Sequence, residues 1–350
     1  MGARLIPFGG WSMPVEYSGI VSEHNAVRTA AGLFDVSHMG EFEITGPRAM
    51  DLLQRVTSND VSRLSDGQAH YSALPTPEGT VIDDLLVYRE SRDRFMLVVN
   101  AANIQTDFDW IVSNNDLGAH VEDVSGATSL LAVQGPRAVE VLQPLLDRPL
   151  DSVRYYHFVR GHVAGIDAIV SRTGYTGEDG FELYFASTHS GTLWNALLDG
   201  GKPLGLIPAG LGARNTLRLE AKLLLYGNDI DRSTTLLEAG LGWIVRFDKG
   251  DFIGRTALVR QQTEGVKRKL VGFEMLGREI ARDHYPVRVD GGEVGQVTSG
   301  SPSITLRKNI GLTYLPVRSA KVGTRFEVSV RGRACEAQVV ETPFYKRKAA

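Results

Sequence analysis

Two groups of carboxylates in this chain stand where strands meet turns, and each could do chemistry. The first is the pair Asp83-Asp84, at the start of the apolar run Leu85-Leu86-Val87-Tyr88. Successive side chains on a strand face opposite ways, so only one of the two aspartates can look into a given cavity. There it could stabilise a cation or move a proton. The second group lies in Ser171-Arg172-Thr173-Gly174-Tyr175-Thr176-Gly177-Glu178-Asp179-Gly180-Phe181-Glu182. Ile169-Val170 before this run and Phe181 to Phe185 after it read as strands, so the run takes the place of a hairpin turn. A plain turn would need roughly two to five residues. This one adds Tyr175, Glu178 and Glu182, a flat ring and carboxylates beside a glycine backbone that a ligand can approach closely. An ionised carboxylate only accepts hydrogen bonds and can take two from adjacent donors. The combination suits a planar heterocycle with donors along one edge. The plainer alternatives are a glycine-rich hairpin with solvated acids, and two solvated aspartates after the turn Pro77-Glu78-Gly79-Thr80.

Other constellations carry less. Asp35-Val36-Ser37-His38 invites a Ser-His-Asp reading, but on a strand Ser37 and His38 point to opposite faces and cannot share a hydrogen bond. Gly210-Leu211-Gly212-Ala213-Arg214-Asn215 is half of a dinucleotide fingerprint, lacks the last glycine and follows Pro208. His157 and His162 are too isolated for a metal site, and Cys335 is the only cysteine, which excludes intrachain disulfides and cysteine-clustered zinc.

Positioning these residues requires elements that the sequence shows twice. Gly46-Pro47-Arg48-Ala49-Met50-Asp51-Leu52-Leu53-Gln54 recurs as Gly135-Pro136-Arg137-Ala138-Val139-Glu140-Val141-Leu142-Gln143. In each copy a strand-like run precedes the glycine, proline sits where a helix should start, and apolar residues follow at helical spacing. The spans Val81 to Tyr88 and Arg94 to Asn100 read as a hairpin followed by a helix through Phe108, Trp110 and Ile111. The spans His162 to Arg172 and Phe181 to Phe185 read as a second hairpin, followed by a helix through Leu193, Trp194, Ala196 and Leu197. Each half therefore runs strand, helix, strand, strand, helix, the split β-α-β order of ferredoxin-like folds. From about residue 265 short strands take over, at Leu270 to Met275, Val287 to Val289, Gly295 to Thr298, Arg325 to Val330 and Ala334 to Val340, with Asp290-Gly291 as a tight-turn signal. The expected fold is α+β, with two ferredoxin-like domains at 1–125 and 126–262 and a small β-barrel at 263–350. Strand exchange between the halves is open.

The 350 residues are many for one core, and 43% hydrophobic content is ordinary for a globular chain. A net charge of -3 argues against a nucleic-acid partner. No stretch reaches the roughly 20 apolar residues a membrane span needs, and Met1-Gly2-Ala3-Arg4-Leu5 forms no signal peptide. A cytoplasmic protein off the membrane is expected.

The long glycine-rich run resembles a signature of the aminomethyltransferase (T-protein) family of the glycine cleavage system. Further segments agree in order along the chain: Gly9 to Tyr17, Glu23 to Arg28, Gly32 to Gly40, Asp83 to Tyr88, Val99 to Asn103, Gly210 to Arg214, Leu217 to Ala221 and Tyr226 to Asp229. The resemblance implies two ferredoxin-like domains and a barrel around a central folate cavity. It implies Asp84 as the catalytic carboxylate, Glu182 as the pterin-binding acid and Arg214 as a ligand-contacting arginine. It implies folate contacts at Met39, Tyr71, Leu86, Val98, Asn100, Tyr156 and Tyr175. The co-substrate would be tetrahydrofolate, with no metal and no flavin, and the protein partner the lipoylated H-protein. The implied activity moves a one-carbon unit from an aminomethylated dihydrolipoyl arm to tetrahydrofolate, with release of ammonia. A folate-dependent demethylase and a non-catalytic folate-binding protein are the alternatives.

Three departures from the family pattern stand out. The chain starts late, at the family's Gly-Ala-Arg. Asn215 replaces an aspartate, and Ile304 a proline. The family's terminal arginine would fall beyond Ala350, leaving Lys346 or Arg347 as stand-ins.

Overall fold

The computed structural model describes residues 1–347. Contacts divide the chain into two units, one built from Met1–Leu74 and Asp83–Arg214, the other from Pro75–Ile82 and the chain from Asn215 onward.

The first unit opens with the hairpin β1 (Arg4–Phe8) and β2 (Trp11–Glu16), then α1 (Ile20–Thr29), β3 (Ala31–Asp35), β4 (Gly40–Thr45) and α2 (Ala49–Val56). It continues through β5 (Gln68–Pro75), β6 (Val81–Ser91), β7 (Arg94–Val99), α3 (Ile104–Ser113) and β8 (His120–Asp123). The second half runs β9 (Thr128–Gln134), α4 (Ala138–Leu142), β10 (Phe158–Val163), β11 (Ile166–Ser171), β12 (Gly180–Ala186), α5 (Ser190–Gly201), β13 (Leu206–Pro208) and α6 (Leu211–Glu220). Two sheets result, in the orders β5-β6-β7-β4-β8 and β10-β11-β12-β9-β3-β13. The core of each is the ferredoxin-like order, last strand, first, third, second. In the second sheet β3, from the first half of the sequence, is inserted between β9 and β13, antiparallel to one and parallel to the other.

The internal repeat is visible atom by atom. Ala49 N donates to Gly46 O at 3.0 Å, and Ala138 N donates to Gly135 O at 3.0 Å. Each Gly-Pro-Arg-Ala is thus a β-turn with proline at its second position, where the ring's fixed φ fits. Both prolines precede the helices rather than open them, contrary to the sequence expectation.

Alternation assigns the faces. Phe42, Ile44, Leu85, Val87, Leu97 and Val99 are buried toward the helices, with the Phe42 ring 5.6 Å from Phe108 of α3. In the second sheet Leu131, Val133, Val170, Leu183 and Phe185 pack with α4 and α5 residues such as Val141, Leu193 and Leu197. Each such side chain contributes about 1.5–3 kcal/mol of burial. The opposite faces look at each other, joined where the Tyr88 and Tyr184 hydroxyls lie 2.9 Å apart.

The second unit holds α7 (Arg255–Glu264) and six strands: β14 (Arg268–Met275), β15 (Pro286–Val289), β16 (Gly292–Ser303), β17 (Lys308–Pro316), β18 (Arg325–Val330) and β19 (Arg333–Val340). They close as a barrel in the order β14-β17-β16-β15-β18-β19, with β19 pairing back onto β14. Phe273, Val287, Val297, Leu315 and Val328 fill it. Asp290 and Gly291 both take positive φ, 51° and 78°, the conformation of the tightest hairpin turns. Strand β17 was not anticipated. Gly311 weakens its pattern, yet a Cβ there would sit 2.5 Å from the Phe273 ring. Among the described residues no helix is long and apolar enough to cross a membrane.

Candidate functional site

Register places the first carboxylate. Leu86 pairs with Val98, and Val98 with Glu41, so these three share a row across β6, β7 and β4. One row further, on the same face, alternation brings Asp84 and Asn100 together, and Met39 is the residue that leads into β4. Tyr71, on β5, donates its hydroxyl to Asp84 Oδ2 at 2.8 Å, and Asn100 Nδ2 donates to Asp84 Oδ1 at 3.0 Å. Burial, and then the neighbouring Asp83, push Asp84 up to about 7, against the opposing pull of those two donors. Such a carboxyl changes charge at neutral pH, where an acid–base group is most effective.

Asp83 faces the other way, as alternation requires, but it is not solvated. It is fully buried against α3, accepting from Asn100 N at 3.0 Å and from Asn103 Nδ2 at 2.8 Å, beside the buried Asp107. Burial raises its pKa as well. The Asn100 amide touches both aspartates, reaching Asp83 Oδ1 at 2.8 Å. The two carboxylates therefore share one donor and are not independent.

The glycine-rich run is less exposed to a ligand than its composition suggests. Glu178 pairs with Arg28 of α1 at 2.9 Å, each side chain about 6% exposed, and Asp179 pairs with Arg172. Gly174 and Gly180 lie against the Gln134 side chain, where a Cβ would come within 2.0 and 2.5 Å. Gln134 in turn donates to Thr173 O at 3.0 Å and accepts from Thr176 Oγ1 at 2.9 Å. These glycines admit an internal amide, not a ligand. Only Glu182 of the run's acids reaches the inter-sheet face. Its Oε2 accepts from Thr173 Oγ1 and, at 3.5 Å, from the Tyr184 hydroxyl. Among the described residues nothing donates to Oε1. Burial raises the Glu182 pKa, while Thr173 and the Arg214 charge oppose the rise.

The aromatic contacts close the site. The Arg214 guanidinium sits 4.3 Å over the Tyr175 ring, an attraction of about 0.5–2 kcal/mol. Tyr71 feels Asp84, Tyr175 and Tyr156, and Tyr156 feels Glu182. Burial raises both hydroxyls well above the ordinary tyrosine value. Tyr156 holds a left-handed backbone, φ 59°, a conformation that costs a residue with a Cβ about 1–2 kcal/mol. Its N–H and carbonyl are both bonded, to Arg172 O and Ala69 N. Met39, Asp84, Leu86, Asn100 and Glu182 are partly exposed although they stand amid buried residues, whereas Val98 is 5% exposed. Asp84, Glu182, Tyr71, Tyr175, Tyr156, Arg214, Asn100, Met39, Leu86 and Val98 thus all belong to the first unit's inter-sheet face or its rim. Sequence reasoning missed Thr173 and Tyr184, which hold Glu182, Tyr88, whose hydroxyl bonds both of them, and Glu41, whose only signal is alternation with Phe42. The two carboxylates are not symmetry mates. The repeat matches Glu43 to Ala132, whose partners are Met96 and Glu182, so Glu182 corresponds to Met96.

The weaker constellations resolve into structure. Ser37 and His38 lie in a turn, and the Ser37 hydroxyl is engaged with Leu130 N at 3.1 Å. Gly210 N donates to Glu23 Oε2 at 2.9 Å, and a Cβ there would meet the Val15 backbone. His162 pairs with Asp147 and His157 with Arg154. Among the described residues no cluster of three His, Cys, Asp or Glu could hold a metal.

In the second unit, Asn215 accepts from Arg218 Nε at 2.9 Å, and Arg218 also pairs with buried Asp229 at 2.6 Å. Beside Ile304, Ser303 and Thr305 donate their hydroxyls to Glu220 at 2.6 and 2.7 Å. Lys346 and Arg347 are exposed, and Lys348 lies outside the described residues.

Comparison with known proteins places the boundary further along the chain than the contacts do. Residues 1–249 match the family model of the GCVT N-terminal domain, and residues 268–346 that of the glycine cleavage T-protein C-terminal barrel domain. The chain is 52% identical to an aminomethyltransferase of Symbiobacterium thermophilum, over 99% of this chain and 94% of that one. It is 50% identical to an aminomethyltransferase of Halalkalibacterium halodurans, over 99% and 95%. The crystal structure of the glycine cleavage system aminomethyltransferase T from Bartonella henselae superposes with a TM-score of 0.93 at 34% identity, covering 99% of this chain and 95% of that one.

Proposed function

Since the chain belongs to the glycine cleavage T-protein family and is an aminomethyltransferase, we propose that its inter-sheet cavity binds tetrahydrofolate and that Asp84 is the catalytic carboxylate. The donor is an aminomethyl group on the dihydrolipoyl arm of a carrier, the lipoylated H-protein, met in the cytoplasm. The products are 5,10-methylenetetrahydrofolate, ammonia and the reduced arm.

The residues present fit the co-substrate. Glu182 keeps Oε1 open to donors while Thr173 holds Oε2, and the aminopyrimidinone edge of a pterin presents two adjacent donors. Tyr175, backed by Arg214, offers a flat face beside it. Bound tetrahydrofolate would supply the two nitrogens that take up the one-carbon unit.

The single observation that carries the assignment of Asp84 is its setting: a half-buried carboxyl near pKa 7, gripped by Tyr71 and Asn100 on the inter-sheet face. As the carboxylate it stabilises positive charge as ammonia leaves, and at neutral pH it can also accept a proton. Mixing the protein with tetrahydrofolate and aminomethylated lipoyl carrier should release ammonia. No ammonia above the rate without protein overturns the proposal.

A further inference from the structure

Glu41 is the one residue of the Leu86–Val98–Glu41 row that the function above does not use. Only 1% of its surface is exposed, and neither carboxyl oxygen has a hydrogen-bond partner among the described residues. A buried carboxyl without partners is costly, and native structures keep such groups for a reason. Its direction is fixed by alternation. Phe42 points at Phe108 of α3, so Glu41 points the opposite way, to the face that carries Leu86 and Val98. Its charge also reaches Tyr184 on the opposing sheet. Glu41 therefore looks into the space between the sheets.

From Asp84 it stands two strands across and two residues along. With strands about 4.8 Å apart and residues rising about 3.3 Å, their Cα atoms are about 12 Å apart, with Val98 and Asn100 of the middle strand on the same face between them. Burial, with Asp123 second, pushes Glu41 up to about 8, so it holds its proton at neutral pH.

We propose that Glu41 is a further ligand-contacting residue of the cavity, a carboxylic acid that offers an O–H donor and a carbonyl acceptor side by side to a mixed edge of the pterin. The inference rests on the folate reading. A reduced pterin has two edges of that kind, N1 with N8–H and O4 with N5–H. Each pairs with a neutral acid as naturally as the all-donor edge pairs with ionised Glu182.

Glu41→Gln and Glu41→Met separate this role from packing. Glutamine keeps a donor and an acceptor on adjacent atoms, whereas methionine keeps the length and offers neither. With tetrahydrofolate titrated by calorimetry at pH 7, the glutamine variant should bind within about threefold of the parent and the methionine variant at least about tenfold more weakly. The ligand-free methionine variant should melt at a higher temperature than the parent, because it no longer buries an unpaired carboxyl. Methionine binding as tightly as the parent overturns the proposal, as does glutamine losing as much as methionine. If the methionine variant does not fold, 5-deaza and 8-deaza analogues, each lacking one ring donor, are titrated against the parent and the glutamine variant. Both analogues binding like tetrahydrofolate overturns the proposal too. A parent protein that does not bind tetrahydrofolate sinks the folate reading itself, a distinct outcome.

Discussion

Replacing Tyr71 with phenylalanine deletes one oxygen and leaves the ring. That oxygen donates to Asp84 Oδ2 at 2.8 Å, a bond that favours the ionised form of the acid. Hydrogen bonds to charged groups contribute about 1.5–3 kcal/mol net, and one pKa unit corresponds to about 1.36 kcal/mol. Losing the bond should raise Asp84 from about 7 by roughly one to two units, to about 8–9. If transfer needs the carboxylate, the rate climbs with pH through the Asp84 pKa. The limb near 7 in the parent enzyme should then move to about 8–9 in Tyr71→Phe, with the high-pH plateau within a few-fold. Single-turnover ammonia release from the aminomethylated carrier, at saturating tetrahydrofolate and across the pH range, reads both quantities. A limb that stays where it was means Asp84 is not the titrating group. A plateau lowered about 100-fold with the limb unmoved would give the catalytic role to the tyrosine.

Asp84→Asn should lower the single-turnover rate by about 100- to 1,000-fold with tetrahydrofolate affinity nearly unchanged. Asp83→Asn should cost less rate but more thermal stability, since it unbalances the buried cluster with Asn103 and Asp107; equal rate losses in the two variants would refute the assignment. Glu182→Gln should weaken tetrahydrofolate binding by about 1–3 kcal/mol in calorimetry, and unchanged binding rules out Glu182 as the pterin anchor. Gly174→Ala should lower the melting temperature by clashing with Gln134 and not by touching ligand. A variant that melts normally yet binds folate poorly would show the glycine to be a ligand contact after all. The folded-state pKa of Glu41, about 8, lies above its ordinary 4.5, so the native state holds a proton that the unfolded chain releases. Stability should fall as pH rises from about 4.5 to about 8, by up to about 5 kcal/mol, and Glu41→Gln should flatten that slope in unfolding experiments.

What the residues reveal before folding follows how local each feature is. The hairpins, the helices behind them and the duplicated Gly-Pro-Arg-Ala turn depend on neighbours in sequence, and they are legible. The insertion of β3 depends on strands about a hundred residues away or more, and nothing in Ala31-Gly32-Leu33-Phe34-Asp35 announces it. The site divides the same way. Glu182 carries a chemical rationale of its own, and alternation correctly turns Asp83 and Asp84 apart. Glu178 and Asp179 look equally apt for a ligand, and only folding reveals that Arg28 and Arg172 have taken them. Glu41 has only its alternation with Phe42 to mark it until pairing puts it beside Val98.

The inserted strand has a consequence for how the molecule comes into being. Ala31 and Leu33 of β3 are fully buried, and their sheet partners β9 and β13 are synthesised long afterwards. The first copy of the duplicated plan therefore leaves the ribosome with one strand waiting, apolar and unpaired until β9 emerges, and with one edge still open until β13 follows at Pro208. Contacts so distant in sequence make for slow folding and a long interval of exposure to aggregation. The same strand welds the copies together. A cut between β8 and β9 yields one fragment with β3 stranded and another whose sheet has raw edges at its centre, on β9 and β13. Neither fragment is a domain. Co-expressed, the two should reunite through β3 as swapped subunits do, and the tandem copies form a single folding unit.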